Sequence, residues 1–279
     1  MDDTHRTPND KHQPDADADP HQRPRPRTRP RPRRLWHAGA ASTNPGDAVD
    51  LEPEEARHAM KALRMREGEA VELIDGRGTV AAGVLTRARA PRATVRIDVK
   101  HAHPEPRPSR TVLAAPPKGA RLESMAGMLV QLGVRRLVLL DTERSVTEPG
   151  AAKMQRLERV VIEACKQCGR TWAMAVQGPI RCDTALDHGA SEATVRLLAT
   201  ATGDPRHDLP AAVPSAAEVR VLVGPEGGFT PEEEHAAHAA GYQPWALGAS
   251  VLRIETAATA AAAVLAWAAQ KPDPPGSRG

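Results

Sequence analysis

Two glycine-bearing segments near the C-terminus carry the residue types best suited to holding a ligand. The first, Gly224-Pro225-Glu226-Gly227-Gly228, puts three glycines in five residues. Glycine lets the backbone come close to a bound molecule, and a plain strand-to-helix turn needs one glycine rather than three with a Pro and a Glu. The second runs Leu247-Gly248-Ala249-Ser250-Val251-Leu252-Arg253-Ile254-Glu255-Thr256. Neither is a P-loop, because no Gly-Lys-Ser/Thr follows, and neither has the Gly-x-Gly-x-x-Gly spacing of dinucleotide sites. On residue types alone the pair reads as backbone loops for a nucleotide-like or adenosyl ligand. Cys165-Lys166-Gln167-Cys168 has the spacing of a redox pair or half a zinc site, but no second pair exists, and both thiols are expected as buried core residues on the apolar face of a helix. His235 and His238 stand one turn apart without the Glu of a metallopeptidase motif and read as a solvated face. No metal site is expected.

Strands and helices must hold the two loops in place. Ligands of α/β sheets sit beyond the carboxyl ends of strands, and the residues from 111 to 270 alternate as such a fold requires. Strands are expected at Thr111–Ala115, Val134–Leu140, Thr194–Thr200, Glu218–Val223 and Pro244–Leu247. Helices are expected at Ala120–Leu132, ended by Gly133, and at Ala152–Cys168, where Met154, Leu157, Val160, Val161, Ala164, Cys165 and Cys168 form one stripe. Thr230-Pro231-Glu232-Glu233 is a capping box with Pro at the first helical position, so Pro231–Ala240 is a helix. Thr256 is expected to cap a last helix, Ala257–Gln270. The alternation predicts a layered α/β domain with a mainly parallel sheet.

Residues 34–103 read differently. Ala70–Asp75, Thr79–Arg87 and Ala93–Val99 are short strands, and Asp75-Gly76-Arg77-Gly78 is a hairpin turn. A helix over about Pro53–Met65 interrupts them, with Pro53, Glu54 and Glu55 in its first turn. This is a small β-barrel module, joined by a linker at 104–110. Residues 1–33 hold seven Pro and no Val, Ile, Leu, Phe or Trp, a composition that cannot offset its own ordering entropy. Its Arg/Pro alternation from Arg23 to Arg34 makes an extended polycation, which serves either as an RNA-backbone tether or as a solvated tail. Residues 271–279 read as a second tail.

Composition closes off several classes. The chain has 279 residues, 40% hydrophobic but only 2% aromatic, so its core rests on Ala, Val, Leu and Ile. The net charge of +3 is carried by residues 1–34, and the remainder balances, so RNA contacts there need local patches. The longest apolar stretch, Ala257–Ala269, is Ala-dominated and broken by Thr259, well short of the ~20 strongly apolar residues of a membrane span. No secretory h-region is present and three Cys make no disulfide framework, so a soluble cytoplasmic protein is expected.

Longer motifs add a family resemblance. Val221–Thr230 and Ala246–Ala257 resemble the signature of the ribosomal RNA small subunit methyltransferase E family, the 16S rRNA uridine-N3 methyltransferases of the SPOUT superfamily. Shorter segments agree in order: Arg57-His58 through Leu63-Arg64, Asp75–Gly78, Lys118-Gly119, Leu132–Val134, Glu143–Val146, and Glu163-Ala164 through Gln167–Arg170. The resemblance covers about Arg34 to Trp267. It implies an N-terminal PUA-like RNA-binding barrel and a C-terminal SPOUT α/β domain with a trefoil knot. It also implies S-adenosylmethionine as methyl donor, a homodimer, and 16S rRNA or the small ribosomal subunit as partner.

By the resemblance, Arg253 steers the substrate or stabilises a uridine anion, while Glu226 and Glu255 accept a proton or hold Arg253. An acid in a helix's first turn is favoured anyway, so Glu255 has a capping role as its alternative. Cofactor contacts would come from Thr200, Gly224, Pro225, Glu226, Gly227, Leu247, Gly248, Val251, Leu252 and Thr256. RNA contacts would come from His58, Arg64, Lys118, Arg144 and Arg170. The sequence departs from the family at Met128 and Gln131, where a Lys and a Glu are usual, and at Trp36, where a Phe is. Met128 and Gln131 leave a first alternative open, a SPOUT methyltransferase acting on another RNA position; a second, from a different class, is a catalytically retired RNA-binding paralogue. Intact Gly224–Gly228 and Leu252–Thr256 speak against the second.

Overall fold

A computed structural model describes residues 32–89, 91–187, 193–200 and 209–269. The expected tails therefore lie outside the described residues, apart from Pro32 and Arg33. Two sheets organise what is described.

The first sheet has five strands in the order β1-β3-β4-β5-β2. These are β1 (Arg33–Trp36), β2 (Ala48–Asp50), β3 (Ala70–Ile74), β4 (Thr79–Arg89) and β5 (Arg92–Ala102). β1 runs parallel to β3 and the other pairings are antiparallel. Ala93, Val95 and Ile97 point alternately inward and join Leu35, Val71, Leu73 and Leu85 in one core, the period-2 pattern that specifies register. Two bulges in the β4–β5 ladder, at Ala82/Gly83 and Leu85/Arg87, bend the long hairpin.

The helix expected over Pro53–Met65 is shorter. α1 covers Pro53–Arg57, and a π-helical turn takes over at His58–Ala62. Arg64 then adopts φ +54°, a left-handed end normally given to Gly. It lets Met65 fold back, its N–H donating to Ala59 O at 3.0 Å, and bury its side chain.

The second sheet has six strands, all parallel, in the order β11-β9-β10-β6-β7-β8. They are β6 (Ser109–Ala114), β7 (Arg136–Asp141), β8 (Ala175–Arg181), β9 (Thr194–Thr200), β10 (Glu218–Val223) and β11 (Gln243–Ala246). β6 begins inside the expected linker. β10 is buried along its whole length, as a strand covered on both faces must be.

One face packs against α2 (Arg121–Gln131), α3 (Ala151–Cys168) and α6 (Ile254–Ala268) through Val112, Leu137, Leu139, Val219 and Val221. The other face turns Leu113, Val138, Leu140 and Leu222 toward α4 (Cys182–Asp187) and α5 (Pro231–Ala239). α6 meets the core with Ala257, Ala258, Ala261 and Ala262, small side chains that let it approach closely. Of the elements not foreseen, β8 is half-buried along most of its length and carries Gly178-Pro179. Proline is tolerated because this is an edge strand.

Hydrogen bonds join the two sheets. Gly78 N donates to Thr171 O at 3.0 Å and Ala173 N to Gly76 O at 2.9 Å. The Trp172 indole donates to His103 O at 3.0 Å, and the Arg135 guanidinium stacks 5.3 Å over its ring. Asp75 shapes the hairpin by accepting from the N–H groups of Arg77 and Thr79. Lys166, 5% exposed, pairs with Glu55 across the junction at 3.0 Å.

Candidate active site

Both glycine-bearing segments leave the carboxyl ends of parallel strands of the second sheet, β10 and β11, with β9 between them. Residues 224–230 follow β10, residues 247–253 follow β11, and the loop after β6 brings Lys118 and Gly119 to the same end. The loop after β9 falls in residues 201–208, outside the described residues.

The first loop is built rigidly. Gly228 N donates to Pro225 O at 2.9 Å, closing a turn in which Gly228 takes φ +73°, the left-handed region where Gly carries little penalty. A Cβ on Gly224 would lie 2.9 Å from the Phe229 ring. Arg144 donates to Gly227 O at 2.9 Å and to Phe229 O at 3.3 Å. Thr230 and Glu233 form the expected capping box at the start of α5.

The second loop is looser. Val251 is 80% exposed, while Leu247 and Leu252 lean on the core. The Arg253 side chain is exposed and makes no hydrogen bond or ion pair among the described residues. Its backbone is the N-cap of α6, with Ala257 N donating to Arg253 O at 2.8 Å. The expected cap, Thr256, is instead the third residue of the helix. The buried side chain of Ile254 draws the start of α6 three residues earlier than expected.

Glu226 and Glu255 come together, but not around Arg253. Arg121, the first residue of α2, reaches Glu226 Oε1 at 3.3 Å through Nη2 and Glu255 Oε1 at 3.6 Å through Nη1. The idea that either carboxylate holds Arg253 is thereby corrected. Sequence reasoning missed Arg121, which sits two residues after the Lys118-Gly119 motif. The Glu255 side chain is 14% exposed, and its Oε2 is buried without a hydrogen-bond partner. Thr200 Oγ1, at the end of β9 opposite Ala246 of β11, is a second buried oxygen with no partner. Buried orphan oxygens are uncommon enough to need a reason; of the three among the described residues, these two lie at the carboxyl end of this sheet and the third, Asp75 Oδ2, lies in the hairpin turn of the first.

The residues expected on RNA divide. His58 is half-buried on the π turn of the first sheet's domain, Arg64 is exposed just after that turn, and Lys118 is exposed beside α2. Arg144 is exposed but spends its guanidinium on the loop carbonyls. Arg170 does not face outward. It donates to Val130 O, Val134 O and Gly133 O at 2.9, 2.6 and 3.2 Å, and burial pushes its pKa down to about 10. It caps the carboxyl end of α2, where carbonyls lack helical partners and attract cations, so its expected RNA contact is corrected to a structural one.

Cys165 is buried, which pushes its thiol up to about 11. Cys168, expected in the same core, is exposed at the end of α3, because the apolar stripe ends before it. No group of three or more His, Cys, Asp or Glu side chains suited to a metal occurs among the described residues. No described helix is long and apolar enough to cross a membrane.

Comparison with known proteins agrees with this architecture. The RNA methyltransferase PUA domain family matches residues 51–98, and the RNA methyltransferase domain family matches residues 104–266. Ribosomal RNA small subunit methyltransferase E of Synechocystis is 31% identical over 223 residues, 77% of this chain and 71% of that protein. Its namesake from Mycobacterium bovis is 30% identical over 224 residues, 77% and 85% of the two chains. The crystal structure of the Neisseria gonorrhoeae ribosomal RNA small subunit methyltransferase E, bound to S-adenosyl methionine, superposes with a TM-score of 0.76 at 29% identity, covering 84% of this chain and 96% of the other. A chain with these two matched domains, with identity at this level over most of its length, belongs to the ribosomal RNA small subunit methyltransferase E family.

Proposed function

We propose that this protein methylates N3 of a uridine in the 16S rRNA of the small ribosomal subunit, using S-adenosylmethionine. The observation that carries the reading is that one guanidinium, Arg121, touches carboxylates from both glycine-bearing segments, so two motifs distant in sequence form one site.

The site's surroundings suit an adenosyl group, which is apolar on its faces and polar at its edges. Leu247, Val251 and Leu252 offer apolar contact, Gly224, Pro225, Gly227 and Gly248 offer approachable backbone, and Thr200, Glu226 and Thr256 offer polar atoms. The orphan Thr200 Oγ1 is an acceptor waiting for such a partner. When bound, the cofactor supplies an electrophilic methyl group. The protein's own residues must do the rest. N3 of uridine carries a weakly acidic proton and is hidden in a base pair until the base is unstacked. Arg253, exposed and without a partner among the described residues, steers the base or stabilises its anion by electrostatic preorganisation. Glu226 and Glu255 are the candidate proton acceptors. His58, Arg64 and Lys118 are the exposed cations that support RNA docking.

The reading also includes pairing of two copies and a trefoil knot. The all-parallel order of the second sheet is compatible with the knot. The exposed apolar side chains Val264 and Val251 are compatible with a partner surface. Of the three departures from the family, Met128 and Gln131 lie on α2 away from both loops: Met128 contacts Thr259 of α6, and Gln131 lines a groove between α2 and α3.

The test is methyl transfer from labelled S-adenosylmethionine to unmodified small subunits, followed by mass spectrometry of the digested RNA. N3-methyluridine is the expected product. A different methylated nucleoside moves the target, and no product with cofactor still bound means a wrong substrate or a retired active site.

A further inference from the structure

We infer that Arg121 is a positioning residue for methyl transfer, holding Glu255 so that its buried Oε2 receives the N–H proton of the base. The inference rests on the proposed function and assigns within it the proton acceptor and the group that orients it.

Three observations carry it. First, Arg121 is the only side chain among the described residues that pairs with Glu255, and it does so from a different helix. α2 and α6 pack on the same face of the sheet, so the pair is held by the fold and not by local sequence. Second, the same guanidinium takes Glu226 on its other arm. Two carboxylates brought to one cation would repel each other without it, so Arg121 is what allows both to stand at the site. Third, Glu255 has divided its oxygens. Oε1 faces Arg121, while Oε2 is buried with no donor. A carboxylate oxygen buried without a donor has lost its water and gained nothing in exchange. The cost is recovered when a bound molecule brings an N–H or O–H to it. The imide N3–H of a uracil is such a donor, and it is the proton that must leave.

Glu226 does not share this geometry. Its side chain is more exposed than that of Glu255 and lies in the loop that backbone bonds already fix. As the new N3–C bond forms and the S–C bond of the donor breaks, the N3 proton passes to Glu255 Oε2 and then to water, leaving no charge unaccounted for.

The experiment compares wild type with Arg121→Ala, Arg121→Lys, Glu255→Gln, Glu226→Gln and the Arg121→Ala/Glu226→Gln pair, in the full-length protein. Each is read by turnover on small subunits, by S-adenosylmethionine affinity in calorimetry, and by melting temperature. Arg121→Ala is expected to lower kcat at least 30-fold with cofactor Kd changed less than threefold. Arg121→Lys is expected to recover at least a third of the lost activity, because an ammonium still neutralises one carboxylate. The pair is the sharpest readout. If Arg121 keeps two like charges together, removing it from the Glu226→Gln background costs at least threefold less than removing it from wild type, in both turnover and cofactor-free melting temperature. Equal costs in the two backgrounds overturn the inference, as does a fall in cofactor affinity matching the fall in kcat. Full activity of Glu255→Gln overturns the assignment of the acceptor. A wild-type protein that makes no methylated nucleoside overturns the underlying function instead, so the two failures are told apart.

Discussion

The loop after β10 is fastened at several points, and the loop after β11 is hardly fastened at all. Residues 224–230 are closed by their own turn, held by Arg144 from the β7–α3 connection, tied to Arg121 through Glu226, and ended by a capping box. Residues 248–252 make no hydrogen bond among the described residues, and Val251 stands in solvent. The two loops leave the same end of one sheet, from β10 and β11, with β9 alone between those strands. Their difference is therefore one of wiring and not of place. A fastened loop offers its backbone at no ordering cost, whereas an unfastened one gives up conformational entropy when a ligand orders it. The pair divides binding between a preformed wall and a wall completed by the ligand.

Arg253→Ala is expected to give the largest effect. The side chain is exposed and has no partner among the described residues, so the melting temperature stays within about 1 °C of wild type, as surface changes usually do. Turnover should fall on the order of 100-fold, the usual loss when a charge-stabilising donor is removed. Cofactor affinity measured in parallel should hold within threefold. An equal fall in affinity and turnover would move Arg253 from the substrate side of the site to the cofactor side.

Gly224→Ala tests the fastened loop from within. The new methyl would meet the buried Phe229 ring at 2.9 Å, and overpacking of this kind costs about 1–3 kcal/mol. Thermal melting without ligand should drop by about 3–10 °C, and cofactor affinity should fall with it, since the wall itself has shifted. A variant with unchanged melting would show that Phe229 yields, and that the loop is less rigid than its bonds suggest.

Arg144→Ala loosens the same loop from outside. Two hydrogen bonds to carbonyls are lost, each worth about 1 kcal/mol and less where water can replace the donor. The expected fall is about 2–4 °C in melting temperature and a few-fold in cofactor affinity. A change in RNA binding alone, with melting untouched, would return Arg144 to the RNA-facing role its sequence context suggested.

These residues also show what the sequence could and could not disclose. β9 and β10 were legible to the residue, because Val195, Leu197 and Leu198 in one and Val219, Val221, Leu222 and Val223 in the other make short apolar runs despite Arg196 and Arg220. The capping box at Thr230 was legible because its two partners are three residues apart. β8 was hidden by Gly178-Pro179, which an edge strand tolerates and a pattern search does not. Thr256 looked like a cap because it precedes an alanine run, yet the burial of Ile254 decides where α6 begins. Arg170 reads as a surface cation within a polar motif, and only the fold shows α2's terminal carbonyls waiting for it. Arg121 depends on partners 105 and 134 positions away, and a distance of that kind leaves no local mark. Motifs made of neighbours were readable, and those closed through space were not.

Val251→Ser is the subtlest test, and it bears on the unfastened loop directly. An 80% exposed valine contributes almost nothing to the free protein, so melting without ligand should be unchanged. If the loop closes over the cofactor, Val251 loses its exposure only in the complex. Burying a valine side chain stabilises by about 1.5 kcal/mol, so the serine should weaken cofactor affinity by up to about tenfold, in calorimetry, with no change in the free protein. That separation, stability intact and affinity reduced, is the signature of a wall that forms on binding. Equal affinity in the two proteins would mean that Val251 stays in water in the complex. The loop after β11 would then contribute through its backbone alone, and the contrast between the two loops would reduce to one of hydrogen bonding.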